Sequence, residues 1–247
     1  MITTLITGAT SGIGYELAQQ LMQRGDQLVL IGRRDPSELD TAFFTTDRYC
    51  QVDIAAVDAA SIIGKFLQDH NITQLDYLIH NAGTGYFGDI ATQSAESIIE
   101  VIDVNLIAPM RLTHALLPMI QAAHGKIVLI SSVVASLPAP EYAVYAASKA
   151  ALNEFGDNLR IELRGKAQVQ VIHAGATQTE MHRKLGIPSE RMDTSKFPSA
   201  ESVAQKIIHA MNSNTTQKTI GIPNIIMRFA GKHLAGLIDF ALKRSKA

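Results

Sequence analysis

The sequence contains one cysteine, Cys50, and no tryptophan among its 247 residues. A single cysteine excludes an internal disulfide, which suits a reducing compartment. No uninterrupted apolar stretch approaches the roughly 18–20 residues of a membrane-spanning helix. The first residues, Ile2–Thr7, lack the basic start and long apolar run of a secretory signal. We therefore expect a cytoplasmic protein.

Charge is also scarce, because only 18% of the residues are charged and the net charge is −1. Phosphate binding along a nucleic acid requires a basic field, so we expect no nucleic-acid partner. None of the eight histidines stands at metal-ligand spacing with carboxylates or with Cys50, so we expect no catalytic metal.

Hydrophobic residues make up 47% of the chain, and no repeat, linker or low-complexity segment divides it. We predict one domain over residues 1–247, which would bury roughly 70–75% of its unfolded surface. Short apolar runs alternate with helical patterns, which is typical of a parallel sheet covered on both faces. Strands are predicted near 2–7, 27–31, 48–52, 76–80, 126–131, 169–173 and 218–222. Helices are predicted from Ile13 to a cap at Gly25, after Ser94, over 145–164, and from Ser199 to about Met211.

A glycine-rich turn follows the first predicted strand directly and opens the first predicted helix. Glycines there allow a tight turn, close approach of the backbone to a pyrophosphate, and close packing of helix on sheet. The N-terminus of the helix supplies unpaired N–H groups for phosphates. The alternative is a glycine-rich turn of no functional meaning. The turn residues expected to bind a dinucleotide are Gly8, Thr10, Ser11, Gly12, Ile13 and Gly14.

Arg33 and Arg34 follow the second predicted strand, where an NAD-binding chain usually carries a carboxylate for the ribose 2′-hydroxyl. A guanidinium can instead pair with a 2′-phosphate. We therefore expect NADP(H) to be preferred, with NAD(H) possible. The alternative is a solvated pair of arginines beside Asp35.

Two further segments are candidates for the adenosine end of the cofactor. Asp53, with Ile54, ends the third strand region and could accept from the adenine amino group, although a helix N-cap is an equal alternative. The loop of Asn81, Ala82 and Gly83 follows an apolar strand and could pass beside the adenosine ribose. A simple strand-to-loop turn is the competing interpretation.

Tyr145 and Lys149 are separated by one helical turn, and Ser132 lies upstream of them. Positions i and i+4 share a helix face about 5–6 Å apart, so an ammonium can lie beside a phenol. Carbonyl reduction needs a proton at oxygen, and Tyr145 is the candidate donor, or the base in alcohol oxidation. Its usual pKa near 10 is high for a base, and we expect Lys149, together with the positive nicotinamide of an oxidised cofactor, to lower it. Ser132 would bind the substrate oxygen. Taken singly, each residue has a structural alternative: a core aromatic, a solvated lysine or a turn serine.

Together these motifs make the chain resemble the compact single-domain branch of the short-chain dehydrogenase/reductase family. The resemblance covers residues 7–149 and depends on the glycine turn, Asp53, the Asn81 loop, Asn105, Ser132, and the Tyr145–Lys149 pair. It implies a Rossmann-type α/β fold, with a doubly wound seven-stranded sheet, and a nicotinamide cofactor. It also implies that Asn105, Ser132, Tyr145 and Lys149 form the catalytic group, and that Lys149 holds the nicotinamide ribose. A homodimer or homotetramer is implied as well.

Asn105 also has a local argument, because Pro109 lies four residues later and has no N–H. The Asn105 carbonyl would therefore be available for a water, which in the family connects the lysine to solvent. The alternative is a simple kink at Pro109.

The chain departs from the family pattern after the sixth strand, where Ala174–Gly175 replaces a proline–glycine pair. Gly175, Thr177 and Thr179 are retained as expected cofactor contacts, together with Tyr145 and Lys149. His80 stands where the family often has asparagine, which we treat as tolerated variation.

Two segments bear on substrate and partner. Residues 178–197 are the expected substrate lid and mix charge with Met181, Leu185, Ile187, Met192 and Phe197. Their character favours an apolar carbonyl, although each can equally be the buried side of a lid helix. Residues 224–247 form an apolar and basic segment, which predicts either peripheral membrane contact or, with more weight, packing over the substrate mouth or a neighbouring subunit.

We therefore expect an NADP(H)-dependent carbonyl reductase or alcohol dehydrogenase acting on a small-to-medium apolar carbonyl/alcohol pair. A non-catalytic NADP-binding sensor or scaffold is the alternative from another class. A sugar-nucleotide epimerase or dehydratase is weaker, because the glycine spacing and short C-terminal region match the compact branch.

Overall fold

The computed structural model describes residues 1–185, 187, 190, 192–234 and 236. Its strands are β1 Thr3–Thr7, β2 Gln27–Gly32, β3 Tyr49–Gln51, β4 Tyr77–His80, β5 Lys126–Ser132, β6 Gln168–Ala174 and β7 Gln217–Thr219. Its helices are α1 Gly12–Gln23, α2 Ala59–Asp69, α3 Ala95–Ile102, α4 Ala108–Ala122, α5 Ala143–Glu162, α6 Met181–Lys184, α7 Ala200–Met211 and α8 Ile222–His233. Among the described residues, no helix is long and apolar enough to cross a bilayer.

The seven strands form one parallel sheet in the order β3-β2-β1-β4-β5-β6-β7. The predicted doubly wound Rossmann-type sheet is therefore confirmed, and each predicted strand is present. Strand β1 pairs with β2 on one side and with β4 on the other, so the strand order reverses there. Ligands of such sheets bind in the crevice at the carboxyl ends beside this reversal.

Helices cover both faces of the sheet. Residues of α2, α4 and α5 share one apolar core with the sheet, and residues of α1 and α7 share the other. The central strands β1, β4 and β5 are almost continuously buried, because helices cover both faces of the sheet.

The helix limits follow the capping signals in the sequence. Ser94 and Ser199 cap α3 and α7 by accepting from Ser97 N and Ser202 N, both at 3.2 Å. Gly25, with φ of +92°, follows the end of α1 in the left-handed region, as predicted. Helix α2 is absent from the sequence predictions, although Ala59, Ile63 and Leu67 recur at i+4 and are buried in the structure.

Candidate active site

The glycine turn between β1 and α1 is fixed by backbone conformation and by close contacts. Gly8 and Gly12 have φ of +67° and +55°, a region that disfavours side chains. At Gly14 an added methyl group would overlap the carbonyl oxygen of Gly8 and the amide nitrogen of the Asn81 side chain. All three positions therefore require glycine in this arrangement.

The first turn of α1 has the properties of an anion site. Ser11 is the exposed N-cap residue, and its side chain makes no capping hydrogen bond. The first turn also carries no acidic residue. Because the N–H groups of a helix N-terminus point outward and carry partial positive charge, the turn fits the phosphates of a dinucleotide.

Asn81 joins the glycine turn to the loop after β4. Its side-chain Nδ2 donates to Thr7 O at 3.0 Å and to Gly8 O at 3.1 Å. Thr7 Oγ1 in turn accepts from Asn81 N and from Ala82 N, both at 3.1 Å. A methyl group at Gly8 would lie 2.7 Å from Ala82 Cα. The contacts of Asn81 and Ala82 in the structure thus shape the turn.

Arg33 and Arg34 have different surroundings at the carboxyl end of β2. The Arg33 side chain is 67% exposed, and its nearest carboxylate is Glu100, at 3.6 Å. Arg34 donates to Glu38 O at 2.9 Å, and its Nε lies 3.6 Å from Glu38 Oε2. Arg33 is therefore the more available cation, since Arg34 is held by the local 36–38 turn.

Asp53 is exposed, and its carboxylate accepts from Ala55 N at 3.0 Å in a local turn. The helix that follows begins at Ala59, with Asp58 as its N-cap residue. The interpretation of Asp53 as a helix N-cap is therefore wrong. Ile54, beside it, is buried in the apolar core.

Ser132, Tyr145 and Lys149 come together at the carboxyl end of β5. Ser132 ends that strand, and Tyr145 and Lys149 lie on successive turns of α5. The Ser132 hydroxyl lies close enough to Tyr145 to oppose a rise of the pKa of the phenol. Lys149 is buried, and its Nζ donates to Ile130 O at 3.0 Å and lies 6.0 Å from the centre of the Tyr145 ring. The phenol, the serine hydroxyl and the buried ammonium thus lie together at this end of the strand.

Burial dominates the electrostatics of this group. Burial raises the pKa of Tyr145, the nearby Ser132 hydroxyl opposes the rise, and Tyr142 adds to it. Burial is the largest cause of this shift, and the lowering expected from Lys149 together with an oxidised nicotinamide stays a prediction for the cofactor-bound protein. Burial also lowers the pKa of Lys149 to about 8.

Asn105 lies in a π-helical turn, Asp103–Ile107, between α3 and α4. Its Oδ1 accepts from Thr84 N at 2.9 Å, and its Nδ2 donates to Thr84 O at 2.8 Å and to Ser148 Oγ at 3.0 Å. Ser148 Oγ donates to Tyr145 O at 2.7 Å. The fully buried amide therefore connects the Thr84 loop to the turn of α5 that carries the tyrosine. The water site predicted at the Asn105 carbonyl stays a prediction.

The dinucleotide turn and the catalytic group are joined through Gly83. A methyl group there would lie 3.5 Å from Lys149 Nζ and 3.3 Å from Asn105 Oδ1. Since Ala82 contacts Gly8, one three-residue loop contacts both halves of the site. The two groups predicted from the sequence, the glycine turn and the cluster of Ser132, Tyr145 and Lys149, are thus brought into a single crevice.

His80 is buried at the end of β4, where its Nε2 lies 2.9 Å from Thr113 Oγ1. Burial, and then the nearby charge of Lys149, lower the pKa of His80 to about 3. The imidazole is therefore a neutral hydrogen-bonding core residue at this position.

The described part of the lid contacts both halves of the crevice. The Thr179 methyl would lie 3.1 Å from a Cβ at Gly12, and Leu185 would lie 3.5 Å from one at Gly85. The Tyr145 ring lies against the same face of Gly85. Positions 186, 188, 189 and 191 of the predicted lid are outside the described residues. The apolar lid residues named from the sequence, where described, are all half-buried: Met181, Leu185, Ile187, Met192 and Phe197.

An aromatic row extends from Tyr145. The Tyr142 and Tyr145 rings are 6.2 Å apart, and the Phe87 and Tyr142 rings are 5.1 Å apart. All three side chains are half-buried. This row forms an apolar wall beside the reacting hydroxyl groups.

The loop after β6 is supported by Asn224, which the sequence reasoning did not include in the site. Thr177 Oγ1 donates to Gly175 O at 3.0 Å. The Asn224 side chain occupies the space where a Gly175 side chain would lie, and its Nδ2 donates to Ile220 O at 2.7 Å. Thr84 and Ser148 are likewise missing from the sequence predictions. No local motif marks these residues, because their partners are distant in the chain.

No group of three or more His, Cys, Asp or Glu side chains that could hold a metal ion occurs among the described residues.

Comparisons with known proteins agree with this geometry. A family model of the short chain dehydrogenases matches residues 3–189. The chain is 32% identical to dehydrogenase/reductase SDR family member 7B of Bos taurus, over 98% of this chain and 80% of the relative. It is 34% identical to 11-beta-hydroxysteroid dehydrogenase-like 2 of Arabidopsis thaliana, over 72% of this chain. The match spans 59% of the length of that plant relative.

Solved structures of similar fold cover nearly the whole chain. A short-chain dehydrogenase from Sphingobium yanoikuyae in complex with NADPH superposes with a TM-score of 0.80 at 27% identity, covering 97% of this chain and 96% of that one. A short-chain dehydrogenase from Streptomyces avermitilis gives a TM-score of 0.81 at 21% identity, covering 99% and 96% of the two chains.

Proposed function

The chain belongs to the short-chain dehydrogenase family of oxidoreductases, and from that premise we propose that it is an NADP(H)-dependent carbonyl reductase or alcohol dehydrogenase. The observation that carries the proposal is the clustering of Ser132, Tyr145 and Lys149 at the carboxyl end of β5, where Lys149 is buried and its Nζ lies 6.0 Å from the centre of the Tyr145 ring. Its substrate is a small-to-medium apolar carbonyl or the corresponding alcohol.

A bound nicotinamide supplies or accepts the hydride at the reacting carbon. The chain's own residues supply the rest. Ser132 donates to the substrate oxygen and holds it against Tyr145. As the carbonyl carbon gains the hydride, the Tyr145 hydroxyl transfers its proton to the oxygen, which yields the alcohol and a phenolate. Lys149 stabilises that phenolate and takes part in its reprotonation.

The raised pKa of Tyr145 favours the reductive direction at neutral pH. A phenol with a raised pKa stays protonated and is ready to act as the acid. Alcohol oxidation needs the phenolate as base, so its rate should rise with pH over a higher range.

Preference for NADP(H) is supported by Arg33, which lies at the carboxyl end of β2 with 67% of its side chain exposed, although Glu100 lies 3.6 Å from its guanidinium. A guanidinium at that place can pair with the ribose 2′-phosphate. Arg33→Ala should raise the KM for NADPH by about 10–100-fold and leave that for NADH nearly unchanged. Lys65→Ala, which removes an exposed charge from α2, is the matched control. Equal KM values for NADPH in the wild type and Arg33→Ala would contradict the pairing of Arg33 with the ribose 2′-phosphate.

An apolar substrate is supported by the wall of Phe87 and Tyr142 and by the contact of Leu185 with the Gly85 loop. The plant relative's name, 11-beta-hydroxysteroid dehydrogenase-like 2, is in keeping with such a pocket.

We also propose that the chain is one cytoplasmic domain that assembles as a homodimer or homotetramer. Size-exclusion chromatography with light scattering would test the oligomeric state.

The test of the function is NADPH oxidation against aldehydes, ketones and diketones, with NADH run in parallel. Turnover of apolar carbonyls with NADPH is expected. Tight NADPH binding with no turnover of any carbonyl would favour the alternative of an NADP-binding sensor or scaffold.

A further inference from the structure

Helix α8 exposes an apolar face to solvent. Ile222, Ile226 and Phe229 are exposed by 74%, 65% and 61%, and they recur at helical spacing. Ile225 lies on the same side of the helix, and Met227 and Leu234 are exposed as well. Exposed large apolar side chains that occur singly are ordinary, but a contiguous row on one helix marks an interaction surface.

The opposite side of α8 is anchored to the body of the protein. Gly231 packs directly on the backbone of Ser136, with no space for a side chain. Arg228 donates to Gln217 Oε1 at 2.6 Å and to Thr219 Oγ1 at 3.4 Å on β7. The apolar face therefore has a fixed orientation, pointing away from the sheet.

The charge of this end of the chain is opposite to that of the rest. Residues 222–247 carry five Lys and Arg residues and one acidic residue, Asp239, for a net charge of +4. Because the whole chain has a net charge of −1, residues 1–221 carry −5. Within α8 itself Lys232 is exposed, and no acidic residue occurs.

We propose that α8 docks on the surface of an anionic lipid membrane. Its exposed isoleucines and Phe229 enter the interface between headgroups and acyl chains, Lys232 meets the anionic headgroups, and the net charge of +4 of residues 222–247 adds to the attraction. An amphipathic helix with a basic flank, too short to span a bilayer, binds a membrane in this way.

A second copy of the chain fits the face less well. Two copies related by a two-fold axis through α8 would bring two segments of +4 together, and like charges across an interface are unfavourable. An anionic lipid surface instead complements both the apolar face of α8 and the positive charge of residues 222–247.

The test is co-sedimentation of the full-length protein with vesicles of phosphatidylcholine alone or of phosphatidylcholine mixed with phosphatidylglycerol. The wild type should sediment with the anionic vesicles and stay largely in solution with the neutral ones. The double variant Ile226→Asp/Phe229→Asp should lose about tenfold or more of the binding. Lys232→Glu should weaken binding to the anionic vesicles and leave the weak binding to the neutral vesicles unchanged. Val57→Asp, the same kind of change at an 88% exposed position in the turn before α2, should bind like the wild type.

Thermal unfolding of each variant checks that the body of the protein is intact. We expect unchanged unfolding temperatures, because all the substituted side chains are exposed. The proposal is overturned if the wild type stays in solution with both kinds of vesicle, or if the double variant sediments like the wild type. A concentration-dependent dimer that Phe229→Asp dissociates, with no vesicle binding by the wild type, would assign the face to a second copy instead. Vesicle binding is measured without substrate, so its failure leaves the proposed reaction untouched.

Discussion

Lys149 Nζ lies 6.0 Å from the centre of the Tyr145 ring and donates to the carbonyl oxygen of Ile130 at 3.0 Å. The ammonium is therefore held in the protein interior at the end of β5, one helical turn from the phenol. Burial opposes the charge that each group would carry, because it lowers the pKa of the lysine and raises the pKa of the tyrosine. The site thus keeps a neutral acid next to a costly buried cation.

The cost of burying Lys149 should appear in the pH dependence of stability. Its pKa falls from 10.5 to about 8 on folding, so between these pH values the unfolded chain binds more protons than the folded one. Stability contributed through this group is therefore lowest below pH 8 and rises as pH increases toward 10.5. We expect Lys149→Met to remove about 1–2 kcal/mol of the gain in unfolding free energy between pH 8 and pH 9.5.

Urea unfolding of the wild type and variant at both pH values measures this difference. Lys65→Met, at an exposed lysine of α2, should keep the wild-type pH dependence. Parallel pH profiles for wild type and Lys149→Met would contradict the account of the buried ammonium.

Gly14 should not tolerate a side chain. The methyl group of Gly14→Ala would overlap Gly8 O and the Asn81 amide, so the turn must move. We expect a destabilisation of about 1–3 kcal/mol and a loss of NADPH affinity. Gly64→Ala in α2, where an added methyl meets nothing within 4 Å, should instead be neutral or stabilise the protein by about 0.5–1 kcal/mol. Thermal unfolding and calorimetric titration with NADPH would show both effects, and similar behaviour of the two variants would count against the proposed turn geometry.

Asn105 should act as a positioning residue. Asn105→Ala leaves the N–H and C=O of Thr84 without their buried partners, and we expect a loss of about 2–4 kcal/mol in unfolding free energy. The catalytic rate should fall as well, because the Thr84 loop leads to Gly85 beside the Tyr145 ring. Asn158→Ala is the matched control, since Asn158 is bonded only locally, to Glu154, at the surface. Wild-type stability and rate in Asn105→Ala would show that the amide network is dispensable.

The sheet and the positions of the catalytic side chains are the parts that the sequence predicts well. These features depend on residues that are close together in the chain. They are the strand periodicity, the serine caps Ser94 and Ser199, and the helical spacing of Tyr145 and Lys149. The glycine turn is predictable for the same reason, because its conformation depends on residues that are adjacent in the chain.

The remaining features depend on contacts between distant segments. Asn81 bonds to Gly8, and Asn224 occupies the space at Gly175, only because the sheet order brings those segments together. The pKa of Tyr145 is similar: spacing places a lysine nearby, but burial by the surrounding loops determines the direction of the shift. Helix α2 is different, since its i+4 pattern of Ala59, Ile63 and Leu67 is local and present in the sequence.

The central claim is that Tyr145 transfers the proton in an NADPH-dependent carbonyl reduction, and NADPH oxidation by Tyr145→Phe tests it most directly. Removal of the hydroxyl should lower kcat by about 10²–10⁴-fold and leave the affinity for NADPH nearly unchanged. Tyr142→Phe, which keeps the neighbouring ring and removes its hydroxyl, should stay within a few-fold of the wild type. A Tyr145→Phe enzyme that reduces carbonyls at the wild-type rate would contradict the account.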